Sequence, residues 1–143
     1  MAIEYKECIK NRKITEFDSG RDIAPKEIVT ALKDLESAKA SAGADNFKWA
    51  TVQLYYSMFH SARALLYAAG LREHSHVCLL LAMRELYVVK EKMPVAFVEA
   101  LQQAKQLREE ADYYDRWSKT GCNKLIKSAE EFLAYAQAKI SNK

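Results

Sequence analysis

The stretch from Trp49 to Leu71, WATVQLYYSMFHSARALLYAAGL, constrains the fold of this chain more than any other. It is the longest uninterrupted run with helical apolar periodicity. Val52, Tyr55, Phe59, Ala62, Leu66 and Ala69 follow the three-then-four spacing of a buried helix face. Gln53, Tyr56, His60, Arg63 and Tyr67 repeat that spacing one position round. A helix with an apolar stripe beside a polar-aromatic one has two jobs: it packs a core and lines an interface or cleft. Tyr56, His60 and Arg63 form a dense hydrogen-bonding row that is costly to bury unpaired. The row therefore needs a partner helix's polar groups, a second copy or a ligand.

The rest of the chain reads as more helix around this one. Gly occurs 4 times and Pro twice in 143 residues, so turn signals are few and long helices with short connections are favoured over strands. Residues 4–14 read as a short charged helix anchored by Ile3, Cys8 and Ile14, followed by the connection ITEFDSGRDIAP with Asp18-Ser19-Gly20 as its turn. Pro25 suits the first position of a helix over 25–43. Asp45 or Asn46 can cap the central helix, 46–69, and Gly70 then suits a left-handed C-terminal residue. Ser75 is a cap for a largely apolar helix over 76–90, Pro94 opens another over 94–114, and a last helix covers 121–140. No segment reads as a convincing strand. The expected fold is an all-α, up-and-down bundle of four to five long helices, with residues 1–24 as a short N-terminal helix and linker and 25–143 as the bundle.

Composition excludes several classes. With 50% hydrophobic and 29% charged residues the chain is an ordinary globule, and its net charge of +3 falls short of a dedicated DNA-binding domain. The central helix is interrupted by Gln53, His60 and Arg63, so no membrane span is expected. Cys8, Cys78 and Cys122 are odd in number and have no metal-ligand spacing, so buried or free thiols in a reducing compartment are expected. The N-terminus MAIEYKECIKNRK lacks the apolar core of a signal peptide, and a cytoplasmic location is expected. His74 and His76 stand two apart without matched carboxylates, which gives no metal site and no cofactor. Phosphate-loop, dinucleotide and nucleophile-elbow motifs are absent from the sequence.

A second informative segment runs from Arg108 to Lys127, REEADYYDRWSKTGCNKLIK. Arg108 and Asp112 can pair one turn apart if the helix persists. After Asp115, Arg116, Lys119, Lys124 and Lys127 follow without an acid until Glu130, interleaved with Trp117 and preceded by Tyr113 and Tyr114. Cations hold phosphates and aromatic faces stack bases, so the segment suits a nucleotide or single-stranded RNA. The alternative is that Tyr114 and Trp117 belong to the core and the lysines to a solvated rim.

YYSMFHSARALL over Tyr55–Leu66, then Ser75-His76, then Arg108, Ala111, Asp112 and Tyr113 resemble the HEPN domain (higher eukaryotes and prokaryotes nucleotide-binding) over roughly residues 25–140. The resemblance implies an all-α bundle that forms homodimers, commonly paired with a minimal nucleotidyltransferase in toxin–antitoxin-like systems. It also implies metal-independent ribonuclease activity where four to six residues separate an Arg from a following His. This chain departs from that motif: His60, His74 and His76 all precede Arg108, and the matching position holds Tyr113 or Tyr114. A tyrosine, with a pKa near ~10 in solution, cannot exchange protons near neutrality as an imidazole does. The expectation is a non-catalytic protein binding a nucleotide, RNA or a nucleotidyltransferase partner. Its contacts would be Tyr56, His60, Arg63, Arg108, Asp112, Tyr113, Arg116 and Lys119. A divergent ribonuclease using His60 and Arg108 is the first alternative, and a ligand-free helical dimerisation module the second.

Overall fold

In the computed structural model, which describes residues 4–141, the periodic segments form six helices and one two-stranded ribbon among the described residues. The elements in chain order are α1 (Tyr5–Lys10), β1 (Ile14–Glu16), α2 (Gly20–Gly43), α3 (Phe47–Ala68), β2 (Leu71–Glu73), α4 (His76–Met83), α5 (Val95–Tyr113) and α6 (Lys119–Ser141). A π-helical segment, Arg84–Val89, continues α4. The fold is the expected all-α bundle. Ile3, named above as an anchor, lies outside the described residues.

The central helix α3 is the axis of the core. Leu54, Met58, Ala62, Leu65 and Leu66 are fully buried on it, and α2, α4, α5 and α6 all pack against it. Two small hydroxyls help this helix sit deep. Ser57 donates to the Ala31 carbonyl of α2 (2.8 Å) and Ser61 to the Ser57 carbonyl (3.0 Å), so neither is buried unsatisfied. Asn46 caps α3 by accepting from the Trp49 N–H, and Ser75 caps α4 by accepting from the Cys78 N–H. Gly70 has φ +78°, the left-handed conformation that ends α3 and turns the chain into β2.

Four sequence expectations are corrected. β1 and β2 pair antiparallel, Thr15 opposite Arg72, in segments too short for a period-two pattern to be read. Helix α2 starts at Gly20, not at Pro25, which therefore lies inside the helix. The early start is held by packing: Ala24 is fully buried in a cluster with Tyr67 and Ala68 of α3, joined by Phe17 and Ile23. That contact outweighs the helix hydrogen bond that proline cannot donate. Third, the helix expected over 76–90 is α-helical only to Met83 and continues as the π-helical segment Arg84–Val89. Finally, Cys8 and Cys78 are not free thiols but form a disulfide joining α1 to α4, while Cys122 alone is a free, buried thiol. Sequence gives each cysteine a neighbourhood but not a partner, since α1 meets α4 only through the tertiary packing of the folded chain. No helix among the described residues is long and apolar enough to cross a membrane.

Candidate functional site

Trp49, Tyr56 and Arg63 stand seven residues apart on α3 and so on one face, spread over about 21 Å of helix. This face lies between α2 and α5, and the two flanks differ in chemistry.

On the α2 flank, His60 Nδ1 lies 2.5 Å from Glu27, and Nε2 lies 4.0 Å from Asp34. Arg63 binds Glu73 of β2 through Nε (3.2 Å) and Nη2 (2.8 Å), with Glu27 at 3.9 Å and the Phe59 ring 4.4 Å below its guanidinium. Burial opposes the charge of Arg63, but Glu73, Tyr67 and Glu27 outweigh it and raise its pKa. Asp34 is raised as well, chiefly by burial and against the opposing pull of His60. Glu73 is nearly enclosed, with one oxygen, Oε1, buried without a protein partner. The partners that the polar row requires are thus acids from α2 and β2.

The α5 flank holds Arg108. Its guanidinium lies over the Tyr55 ring (5.2 Å) and the Tyr113 ring (5.9 Å) and pairs with Asp112 at 3.3 Å, the expected one-turn pair. Burial again opposes the charge, but Tyr113, Tyr56, Tyr55 and Asp112 overcome it, so Arg108 is a permanent cation. Its Nε is buried without a protein partner.

His76, at the start of α4, meets the same tyrosine from the other side. Its Nδ1 is 3.3 Å from the Tyr55 hydroxyl, and its ring stacks on Phe59 at 6.5 Å. Burial, then Lys105 and Arg108, lower the His76 pKa to about 4, with Glu109 pulling the other way. Burial keeps the Tyr55 hydroxyl protonated. Where Tyr55 donates, the ring proton of His76 sits on Nε2, which is buried without a protein partner. A concavity of about 250 Å³ opens beside His76 between Gln102, Lys105, Gln106 and Glu109.

Beyond Arg108 the surface becomes aromatic and basic. Tyr113 (70%), Tyr114 (66%), Trp49 (51%) and Trp117 (46%) are exposed, so the loop aromatics are not core. Lys48 sits between Trp49 and Trp117, 5.9 and 5.6 Å from their ring centres, and pairs with Asp115 at 3.2 Å. Lys119 lies over Phe47 and Arg116 over Tyr114. The loop is tied back by Tyr114 and Arg116, whose N–H groups both donate to the Glu110 carbonyl.

The structure therefore brings Tyr56, Arg108, Asp112 and Tyr113 together, with Arg116 on the adjoining loop and Lys119 at the start of α6. It places His60 and Arg63 on the opposite flank, in ion pairs. His76, Tyr55, Glu27 and Glu73 were absent from the expected site. The Ser75-His76 pair at the start of α4 signals His76, while Glu27 stands 33 residues from His60, and Glu73, ten residues after Arg63, is turned back onto α3 by the bend at Gly70. Among the described residues, no three His, Cys, Asp or Glu side chains are placed to hold a metal ion.

The HEPN domain family model matches residues 26–140, and the chain belongs to that family. It is also similar to the protein described as "Putative toxin MJ0142" of Methanocaldococcus jannaschii, with 28% identity over 101 residues, covering 71% of this chain and 68% of the relative.

Proposed function

We propose that this chain is a non-catalytic HEPN protein that binds single-stranded RNA across the Arg108 side of α3 and the α5–α6 loop. It would work within a toxin–antitoxin-like pair that includes a nucleotidyltransferase. The observation that carries the reading is Arg108, a permanent cation set among Tyr55, Tyr56 and Tyr113 and next to exposed Tyr114, Trp49 and Trp117. Aromatic faces stack bases irrespective of sequence and cations follow the phosphates. The name of the archaeal relative supports the toxin–antitoxin setting. The same aromatic and arginine side chains suit the centre of a two-fold homodimer, which would set two Arg108 groups across one cleft.

A ribonuclease reading has one observation in its favour: His76 and Arg108 share Tyr55. Its chemistry is poor. An imidazole with a pKa of about 4 is almost wholly neutral near neutrality, so it is a weak base and is rarely available as an acid. His60 is held by Glu27 on the other flank.

The test is labelled, unstructured RNA incubated with purified protein and a chelator, read by anisotropy and by gel. Salt-sensitive binding without cleavage is expected, weakened about tenfold or more in Arg108→Ala. RNA cleavage that is lost in both His76→Ala and Arg108→Ala, each shown to be folded, would replace this reading with the ribonuclease one.

A further inference from the structure

The two strands of the ribbon sort their side chains by alternation. With Thr15 opposite Arg72, the side chains of Lys13, Thr15 and Phe17 share one face with Arg72 and His74, and Ile14, Glu16, Leu71 and Glu73 take the other. Contacts agree with this sorting. On the inner face Ile14 is buried and Glu73 binds Arg63. On the outer face Thr15 Oγ1 is 3.0 Å from His74 Nε2, and the Arg72 guanidinium lies 4.3 Å over the Phe17 ring. Arg12, in the left-handed conformation (φ 57°), turns the chain from α1 into β1 at the edge of the same face. An open concavity of about 720 Å³ is lined by Arg12, Lys13, Thr15, Arg72 and His74, and also by Ile14 and the Glu16 carboxylate, whose positions in the strand alternate with those of Lys13 and Thr15.

We propose that this concavity is a phosphate-binding site, separate from the α3 surface and independent of the function proposed there. Arg12, Lys13 and Arg72 make no ion pair among the described residues. Three cations against one carboxylate leave a local excess of positive charge. That excess matches a phosphomonoester or pyrophosphate, which carries more charge than an internal phosphodiester. Arg72 is already positioned by its stacking on Phe17, so little side-chain freedom is lost when its fork meets phosphate oxygens. Thr15 and His74 add hydrogen-bonding groups between the cations. The frame is rigid: the His74 N–H donates to the Lys13 carbonyl (2.7 Å), and the Cys8–Cys78 disulfide holds α1 at one end of the concavity.

The experiment is an amide chemical-shift titration of the full chain with inorganic pyrophosphate at low salt. Saturable shifts are expected at residues 12–17 and 72–74, and added salt should weaken them. Arg72→Glu should weaken binding about tenfold or more, and Glu16→Gln should tighten it about twofold to fivefold. The gain in Glu16→Gln cannot come from misfolding. A short RNA with a 5′-phosphate, compared with its 5′-hydroxyl form, distinguishes a nucleic-acid end from a free phosphate compound. Preference for the 5′-phosphate form with shifts at the ribbon supports an RNA end, and equal weak binding of both RNAs beside tight pyrophosphate supports a small phosphate ligand. Shifts that do not saturate, or an Arg72→Glu affinity equal to that of the parent chain, would overturn the proposal.

Discussion

The Tyr55 hydroxyl lies 3.3 Å from Nδ1 of His76, and this bond ties the central helix to the first turn of α4. Because Arg108 rests on the ring of the same tyrosine, α3, α4 and α5 meet at one side chain. His76, rather than His60, is therefore the histidine that shares a partner with Arg108. It reaches that place from an earlier helix, which is why spacing downstream of Arg108 does not reveal it. The environment that brings it there also keeps it neutral.

That neutrality has a consequence for stability. The His76 pKa is about 4 in the folded chain against 6.5 for the free side chain, chiefly through burial. Between these values the unfolded chain binds a proton that the folded chain does not, so stability falls as pH drops from 6.5 towards 4. The full shift corresponds to about 3 kcal/mol as an upper bound, nearer ~2 kcal/mol after allowance for partial solvent access. Urea denaturation of the parent chain and of His76→Gln at several pH values measures it. The parent should lose this amount relative to the variant over that window. Parallel pH profiles would mean that His76 is not held neutral.

Arg63 offers a second quantity to measure. It neutralises Glu73, whose side chain is only 7% exposed, and shares Glu27 with His60. Removing it strands a buried carboxylate, at a cost of about 3 kcal/mol or more. Arg63→Ala should therefore lower stability steeply, and pairing it with Glu73→Leu should recover much of the loss, because the desolvated charge is then gone. Chemical denaturation of the parent, the two single variants and the double variant gives the coupling directly. Additive losses would show that the pair does not stabilise the fold and would leave Arg63 free to serve a ligand.

The fold was more legible in the sequence than the site. Periodicity places α3 almost to the residue, and Asn46, Gly70 and Ser75 mark real helix ends because caps are local chemistry. The start of α2 was misplaced because the burial of Ala24 against Tyr67 is a tertiary contact, and it outweighs the local preference of Pro25. The ribbon was missed because three-residue strands carry no period. In the site, the Arg108–Asp112 pair was readable at its helical spacing. The acids that bind His60 and Arg63 were not, since Glu27 lies 33 residues from His60 and is selected by the α2–α3 packing. The disulfide was hidden for the same reason.

Gly20 tests how closely the start of α2 approaches α3. A Cβ built there would lie 2.6 Å from the Tyr67 carbonyl oxygen and 3.1 Å from the Phe17 ring. The first contact is with backbone inside a helix, which cannot move aside as a side chain can. Ala normally favours a helix over Gly by about 1 kcal/mol, but overpacking here should outweigh that gain and leave Gly20→Ala destabilised by ~1–3 kcal/mol. Gly43 is the control, because a Cβ there meets nothing within 4 Å. Thermal melts should show Gly43→Ala unchanged or slightly stabilised. A Gly20→Ala protein as stable as the parent would mean that α2 begins further from α3.

The disulfide gives the largest expected effect. Cys8 and Cys78 are both buried and 70 residues apart, so their bond closes a long loop in the unfolded chain. Loop-closure entropy assigns such a bond about 4 kcal/mol, reached only if the folded chain accommodates it without strain. The segment it holds is otherwise weakly attached: α1 has six residues, and β1 adds a three-residue pairing with β2. Reduction should therefore act locally as well as globally. Amide exchange in residues 5–16 should rise sharply in Cys8→Ser, or in the parent chain after treatment with a dithiol, while the α2, α3 and α6 amides lose protection only by the change in global stability. Mass spectrometry of the oxidised protein after alkylation under denaturing conditions supplies the direct check, with one free thiol, Cys122, expected. Three alkylated cysteines in protein purified under oxidising conditions, with exchange unchanged by reductant, would show that the bond does not form.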